Sequence, residues 1–87
     1  MFTMRLRLRP GSTIPPHTHP RDERVTVLAG AVKLGFGDVI DRAATTTFRA
    51  GSFYVNVPGV HHYLVIDEET ELQLTGAGPW QVDYVKK

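Results

Sequence analysis

Glycine and proline break this chain so often that a long helix has nowhere to form. Eight glycines and six prolines are spread over 87 residues. No stretch of about a dozen residues keeps apolar side chains at the i, i+3, i+4, i+7 spacing without one of them intervening. What lies between the breaks has strand character. Phe2 to Arg9 alternates and is closed by Pro10-Gly11, and Arg24 to Ala29 is β-rich and turns at Gly30 into Val32–Phe36. Gly35, Gly37 and Asp38 mark the next turn, Ala44 to Phe48 reads as a threonine-rich strand, and Ala50-Gly51 turns again. Phe53, Val55 and Val57 alternate with Tyr54 and Asn56 up to Pro58-Gly59, and His61 to Ile66 follows. After the polar turn Asp67-Glu68-Glu69, Glu71 to Thr75 alternates and is ended by Gly76, Gly78 and Pro79, and Trp80 to Val85 makes a last strand. Ile14 to Pro20 is extended, but Pro15, Pro16 and Pro20 bar it from being a central, fully paired strand. Eight or nine short strands, spaced roughly 8–12 residues apart, predict an all-β sandwich or barrel.

A chain of this length predicts one domain, residues 1–87, that buries only roughly 60% of its unfolded surface. Domains so small lean on disulfides, metal or self-association. With no cysteine in the chain, metal and self-association remain. Ten basic and nine acidic residues give a net charge of +1, without the basic excess that marks a nucleic-acid partner. Arg5, Arg7 and Arg9 alternate with Met4, Leu6 and Leu8, as on the solvent face of a strand. No apolar run reaches the ~20 residues of a membrane span, and no secretory leader is recognisable. A cytoplasmic protein is the expectation.

All four histidines fall in two places, His17/His19 and His61/His62. In a strand, residues two apart point to the same face, so His17 and His19 aim two imidazoles at one spot. Glu23, four residues on, can add a carboxylate from the start of the next strand, and the second histidine pair is the source for a fourth donor. Imidazole with carboxylate suits a divalent transition ion (Fe, Mn, Ni, Zn, Co or Cu) and not the all-oxygen shell of calcium or magnesium. Alternation gives His61 and His62 opposite faces, so one of them points inward.

From Gly11 to Gly30 the chain resembles the first motif of the cupin superfamily, G-x5-H-x-H-x3-E-x6-G, with every fixed position met. Gly51, Gly59 and His62 match the second motif, G-x5-P-x-G-x2-H-x3-N, while Val57 stands at its proline, with Pro58 one residue late, and Ile66 at its asparagine. The resemblance covers roughly residues 5–85. It implies a jelly-roll, double-stranded β-helix cupin barrel with a metal held by His17, His19, Glu23 and His62. The motif spacing selects His62, and the displaced Pro58 keeps His61 as a rival one register step away.

Val25, Val27, Phe36, Phe48, Val55, Leu64, Leu72 and Leu74 are the expected inward, apolar positions. Tyr54, Asn56, Tyr63, Gln73 and Trp80 are expected at the rim or an interface, and Arg21 and Arg24 as solvated charges on a turn. The resemblance implies a metal-dependent dioxygenase or isomerase acting on a small, partly apolar molecule. The alternative is a barrel that binds or senses a small ligand without turnover. A metal-free, epimerase-like barrel is disfavoured by the complete H-x-H-x3-E spacing. A homodimer is also expected, with the strand carrying Met4, Leu6 and Leu8 paired against a partner sheet.

Overall fold

The computed structural model describes residues 1–78 and 80–85. The turn assigned to Pro79 lies outside them, as do Lys86 and Lys87 at the end of the expected domain. Among the described residues nine strands are formed: β1 (Phe2–Leu8), β2 (Thr13–Thr18), β3 (Glu23–Ala29), β4 (Ala31–Phe36), β5 (Thr46–Arg49), β6 (Phe53–Asn56), β7 (His62–Val65), β8 (Thr70–Gly76) and β9 (Asp83–Tyr84). They build a four-stranded sheet in the order β1-β8-β3-β6 and a five-stranded sheet in the order β5-β4-β7-β2-β9, with every pairing antiparallel. The fold is all-β, as the turn spacing predicts.

The core lies between the sheets. Val25, Val27, Leu72 and Leu74 face it from the first sheet, and Val32, Leu34 and Leu64 from the second, each 6% exposed or less. Phe2, Met4, Leu6 and Leu8 pack against this cluster from β1, while Arg5 and Arg7 on the opposite face reach Gln73 and Glu71. The apolar side chains expected to meet a partner sheet therefore serve this chain's own core.

Other expectations are corrected. The polar stretch before β5 begins with a single 3-10 turn, Arg42–Ala44, capped by Asp41, so the strand starts at Thr46 rather than Ala44. The last strand is two residues long, not six. Phe36 and Val55 point outward, at 62% and 43% exposure. In β6 it is Tyr54 and Asn56 that face inward, because the register sets Asn56 opposite Glu23 and Tyr54 opposite the core residue Val25. Tyr63 is fully buried rather than at a rim. Its hydroxyl donates to the carbonyl of Asp41 and accepts from that residue's N–H, so the segment before β5 covers it.

The proline-rich strand β2 sits inside its sheet, between β7 and β9, yet is paired incompletely. Its ladder with β7 holds at Thr13, Ile14 and His17 and is interrupted between Ile14 and His17. Pro15 and Pro16 lack N–H donors, so no regular ladder can cross them. Their carbonyls are used otherwise. Pro16 accepts from the N–H of Val85, and Pro15 from an imidazole.

Candidate metal centre

Three strands meet where the histidines lie. His17 on β2 is the cross-strand neighbour of His62 on β7. His19 follows β2 by one residue, and Glu23 opens β3. All four are buried, at 5% exposure or less. The ring nitrogens available from His17, His19 and His62 lie within 4.8 Å of one another. Glu23 joins at one side, its Oε1 3.3 Å from Nε2 of His19. His61 points the other way, is exposed, and pairs with Asp38.

Local turns fix these positions. The N–H of Val60 donates to the carbonyl of Val57, and between them stand Pro58 and Gly59, the latter at φ +78°. Proline followed by a glycine of positive φ is the type II turn pattern. The displaced proline thus makes a tight turn of its own, and the register still delivers His62 inward. Gly59 also donates its N–H to the carbonyl of His19, tying this turn to the end of β2. Ile66, at the second motif's asparagine, is fully buried core.

In each of the three rings Nδ1 faces a backbone carbonyl: that of Pro15 at 2.7 Å for His17, Gln81 at 2.8 Å for His19 and Val60 at 3.1 Å for His62. A carbonyl oxygen can only accept, so Nδ1 must carry the proton in the neutral ring. Nε2 is then a lone pair. Such outer hydrogen bonds orient imidazole for metal and fix its tautomer. At His19 the consequence is sharp. Among the described residues its buried Nε2 has no hydrogen-bond partner, although Glu23 Oε1 is only 3.3 Å away. A lone pair facing a carboxylate oxygen is repulsive unless a proton or a cation is shared between them.

The electrostatics follow. Burial pushes His62 down to about 4 and also lowers His17, and the neighbouring imidazoles act in the same direction. For His19, burial lowers the value, but the Glu23 carboxylate and the Gln81 carbonyl outweigh it, and the net shift is upward. Burial raises Glu23, yet contacts with His19, Trp80 and Asn56 bring it down to about 2. Its Oε1 accepts from the Asn56 amide at 2.9 Å and its Oε2 from the Trp80 indole at 2.8 Å. The cluster offers two imidazoles held neutral, His17 and His62, a third, His19, drawn toward protonation by Glu23, and a carboxylate ionised at neutral pH. That donor set fits a borderline divalent ion.

The roles of Asn56 and Trp80 exceed the rim positions expected for them. Asn56 is the cross-strand partner of Glu23, a relation that strand register alone would have exposed. Trp80 lies 57 residues from Glu23, and no local signal announces the contact. Gln73 is on the outer face beside Arg5. Arg21 and Arg24 are exposed, as expected.

Comparisons with known proteins place the chain by family and fold. The model of the cupin domain family matches residues 4–77. This chain belongs to the cupin family. Germin-like protein 3-1 of Oryza sativa subsp. japonica is 43% identical to this cupin over 61 residues, which is 69% of the chain and 27% of that protein. The cupin therefore spans about a quarter of the length of that relative. A solved structure of oxalate oxidase superimposes with a TM-score of 0.76 at 26% identity, covering 95% of the cupin and 45% of that chain. The polyketide cyclase RemF of Streptomyces resistomycificus shares the fold alone, with a TM-score of 0.81 at 19% identity over 98% of the cupin and 60% of that chain.

Beside the histidines the cupin encloses a cavity of about 230 Å³ between its sheets. Its walls are mainly apolar, from Leu6, Ile14, Val25, Leu64, Leu72 and Leu74, while Tyr54 and the histidine cluster contribute polar atoms. The volume falls below the 300–1,000 Å³ usual for drug-sized ligands, so the space suits a small, partly apolar molecule.

Proposed function

We propose that this cupin holds a divalent transition metal through His17, His19, Glu23 and His62 and presents it to a small, partly apolar molecule in the adjoining cavity. The supporting observation is the convergence of ring nitrogens from three histidines, each ring held at Nδ1 by a backbone carbonyl. Four protein donors leave positions free on a six-coordinate ion, the mark of a reactive rather than a purely structural site. When bound, the ion supplies Lewis-acid polarisation of a ligand oxygen or, for iron or manganese, redox chemistry.

The chain's own residues do the rest. Asn56 and Trp80 hold the Glu23 carboxylate ionised and fixed in orientation. The three carbonyls hold the Nδ1 protons, so that the nitrogen left to face the cluster in each neutral ring is Nε2. Leu64, Leu72 and Leu74 exclude water from the space where the ligand body lies. One carboxylate against a divalent ion leaves the site with a net positive charge, which favours an anionic ligand.

We favour an enzyme, a metal-dependent oxygenase or isomerase. The likeness to oxalate oxidase, just over a quarter of aligned residues being identical, supports redox chemistry over isomerisation. The second reading is a barrel that binds a small ligand without turnover, and the apolar cavity supports it equally. A homodimer belongs to the same reading, since an 87-residue chain without cysteine gains most from a second copy. The free side of edge strand β1 is then the place for pairing. Light scattering at micromolar concentration should give twice the chain mass, and the monomer mass would refute it.

Elemental analysis tests the metal site. Protein purified without chelator should carry close to one equivalent of a transition metal, and the His17→Ala/His19→Ala variant almost none. Equal metal in both would remove the assignment. Iron or manganese would favour oxygen chemistry, and zinc would argue against it.

A further inference from the structure

Tyr54 carries a polar atom that no described residue satisfies. Its side chain is nine-tenths buried, and among the described residues its hydroxyl has no hydrogen-bond partner. The ring is held at its side by Phe48, with centroids 4.7 Å apart, and its strand register sets it inward opposite Val25. It lines the same cavity as the histidines and Glu23. Two other polar groups facing this space are already engaged, because Asn56 and Trp80 both donate to Glu23. A buried, unpaired hydroxyl is unfavourable, and phenylalanine would fill the same volume without that penalty. The hydroxyl is therefore a group still lacking its partner.

We propose that Tyr54 selects the ligand of this site, its phenol donating a hydrogen bond to an oxygen of a small, monoanionic, oxygen-chelating molecule whose apolar body rests on Leu64, Leu72 and Leu74. This rests on the metal reading above. Three observations define the class. The positive charge left at an ion bound beside one carboxylate calls for an anion. The apolar walls call for a carbon body, and the limited volume keeps it small. A chelating oxyanion keeps a spare lone pair on its oxygen, and a neutral phenol is a suitable donor to it. Burial, with the nearby Glu23 charge, raises Tyr54 above its ordinary value and keeps that proton in place.

The test uses cobalt-loaded protein and maltol, a small hydroxypyrone that chelates through two oxygens, with wild type compared to Tyr54→Phe. Cobalt content is measured first and should be equal in the two forms. Calorimetric titration should then show maltol binding about tenfold more weakly to Tyr54→Phe, as expected for loss of one charge-assisted hydrogen bond. The metal-free variant should melt at or above the wild-type temperature, because no internal partner is lost. Equal maltol affinities, or no maltol binding to cobalt-loaded wild type, would overturn the inference and leave the metal reading standing. A lowered melting temperature would overturn it too, since the hydroxyl would then be partnered inside the protein. If neither form takes up cobalt, the metal reading fails and the inference falls with it.

Discussion

At the residue scale the centre is governed by which nitrogen of each histidine is left free. His62 and His61 are adjacent and chemically identical, yet one is buried among imidazoles and the other is exposed beside Asp38. His61→Ala should therefore keep full metal content, while His62→Ala should lose most of it, as elemental analysis can check. The carboxylate's supports matter nearly as much. Asn56→Ala removes one of the two side-chain donors that orient Glu23. Loss of such an outer partner costs about 10–100-fold in metal affinity, readable by competition with a chromogenic chelator. Unchanged affinity would mean that Glu23 does not bind the ion. In the metal-free protein His62 protonates at about 4 against about 6.5 when unfolded. Between those values the unfolded chain binds a proton that the folded one refuses, so stability falls as pH drops. His17 acts in the same sense. His19, raised, opposes them: its contribution is present below the unfolded value and is lost as pH rises through the folded one. Glu23, held near 2, adds a further loss as pH falls from about 4.5. The melting temperature of chelator-treated protein should thus decline from pH 6.5 to 4, and a flat profile would contradict this account.

At the scale of elements, what could be read from sequence was whatever is local. Turn spacing announced the all-β fold, and the pattern His17-Thr18-His19 with Glu23 announced a site, because both depend on neighbours a few residues apart. The facing of β6 could not be read that way. Phe53 and Val55 look like core by apolarity, but the register with β3 turns them outward and places Tyr54 and Asn56 inside. A barrel with a ligand cavity puts polar groups where a plain sandwich would put oil, so the rule that apolar residues face inward fails at such a site. Tyr63 escaped for a different reason: the surface segment that covers it comes from another part of the chain. That cover makes β4 sensitive. A methyl group on Gly35 would run into the ring of Tyr63, which is fully buried. Gly35→Ala should be destabilising by about 1–3 kcal/mol, as overpacking usually is, seen as a lower denaturant midpoint. A neutral effect would mean that the segment around Asp41 yields easily.

At the scale of the whole molecule, a cysteine-free chain of 87 residues has little stability to spare, and ligation should be felt globally. Free metal at 100 times its dissociation constant adds about 2.7 kcal/mol. In a domain of this size each kcal/mol moves the melting temperature by about 4–8 °C, so chelation should lower it by about 10 °C or more. The three pinning carbonyls also differ in origin. Those of Pro15 and Val60 lie two residues before the histidines they orient, whereas that of Gln81 is 62 residues from His19. Gln81 and Trp80 belong to the closing stretch of chain, which joins β2 through a strand of only two residues. Two of the rings are thus set by their own neighbourhood, and the third, together with the carboxylate, depends on the docking of the distant segment that carries Trp80 and Gln81. Fraying of that short strand would release His19 and Glu23 together and uncover the cavity wall formed by Trp80, Val82 and Tyr84. Exchange of any bound ion with the surroundings would then be timed by how often that strand opens.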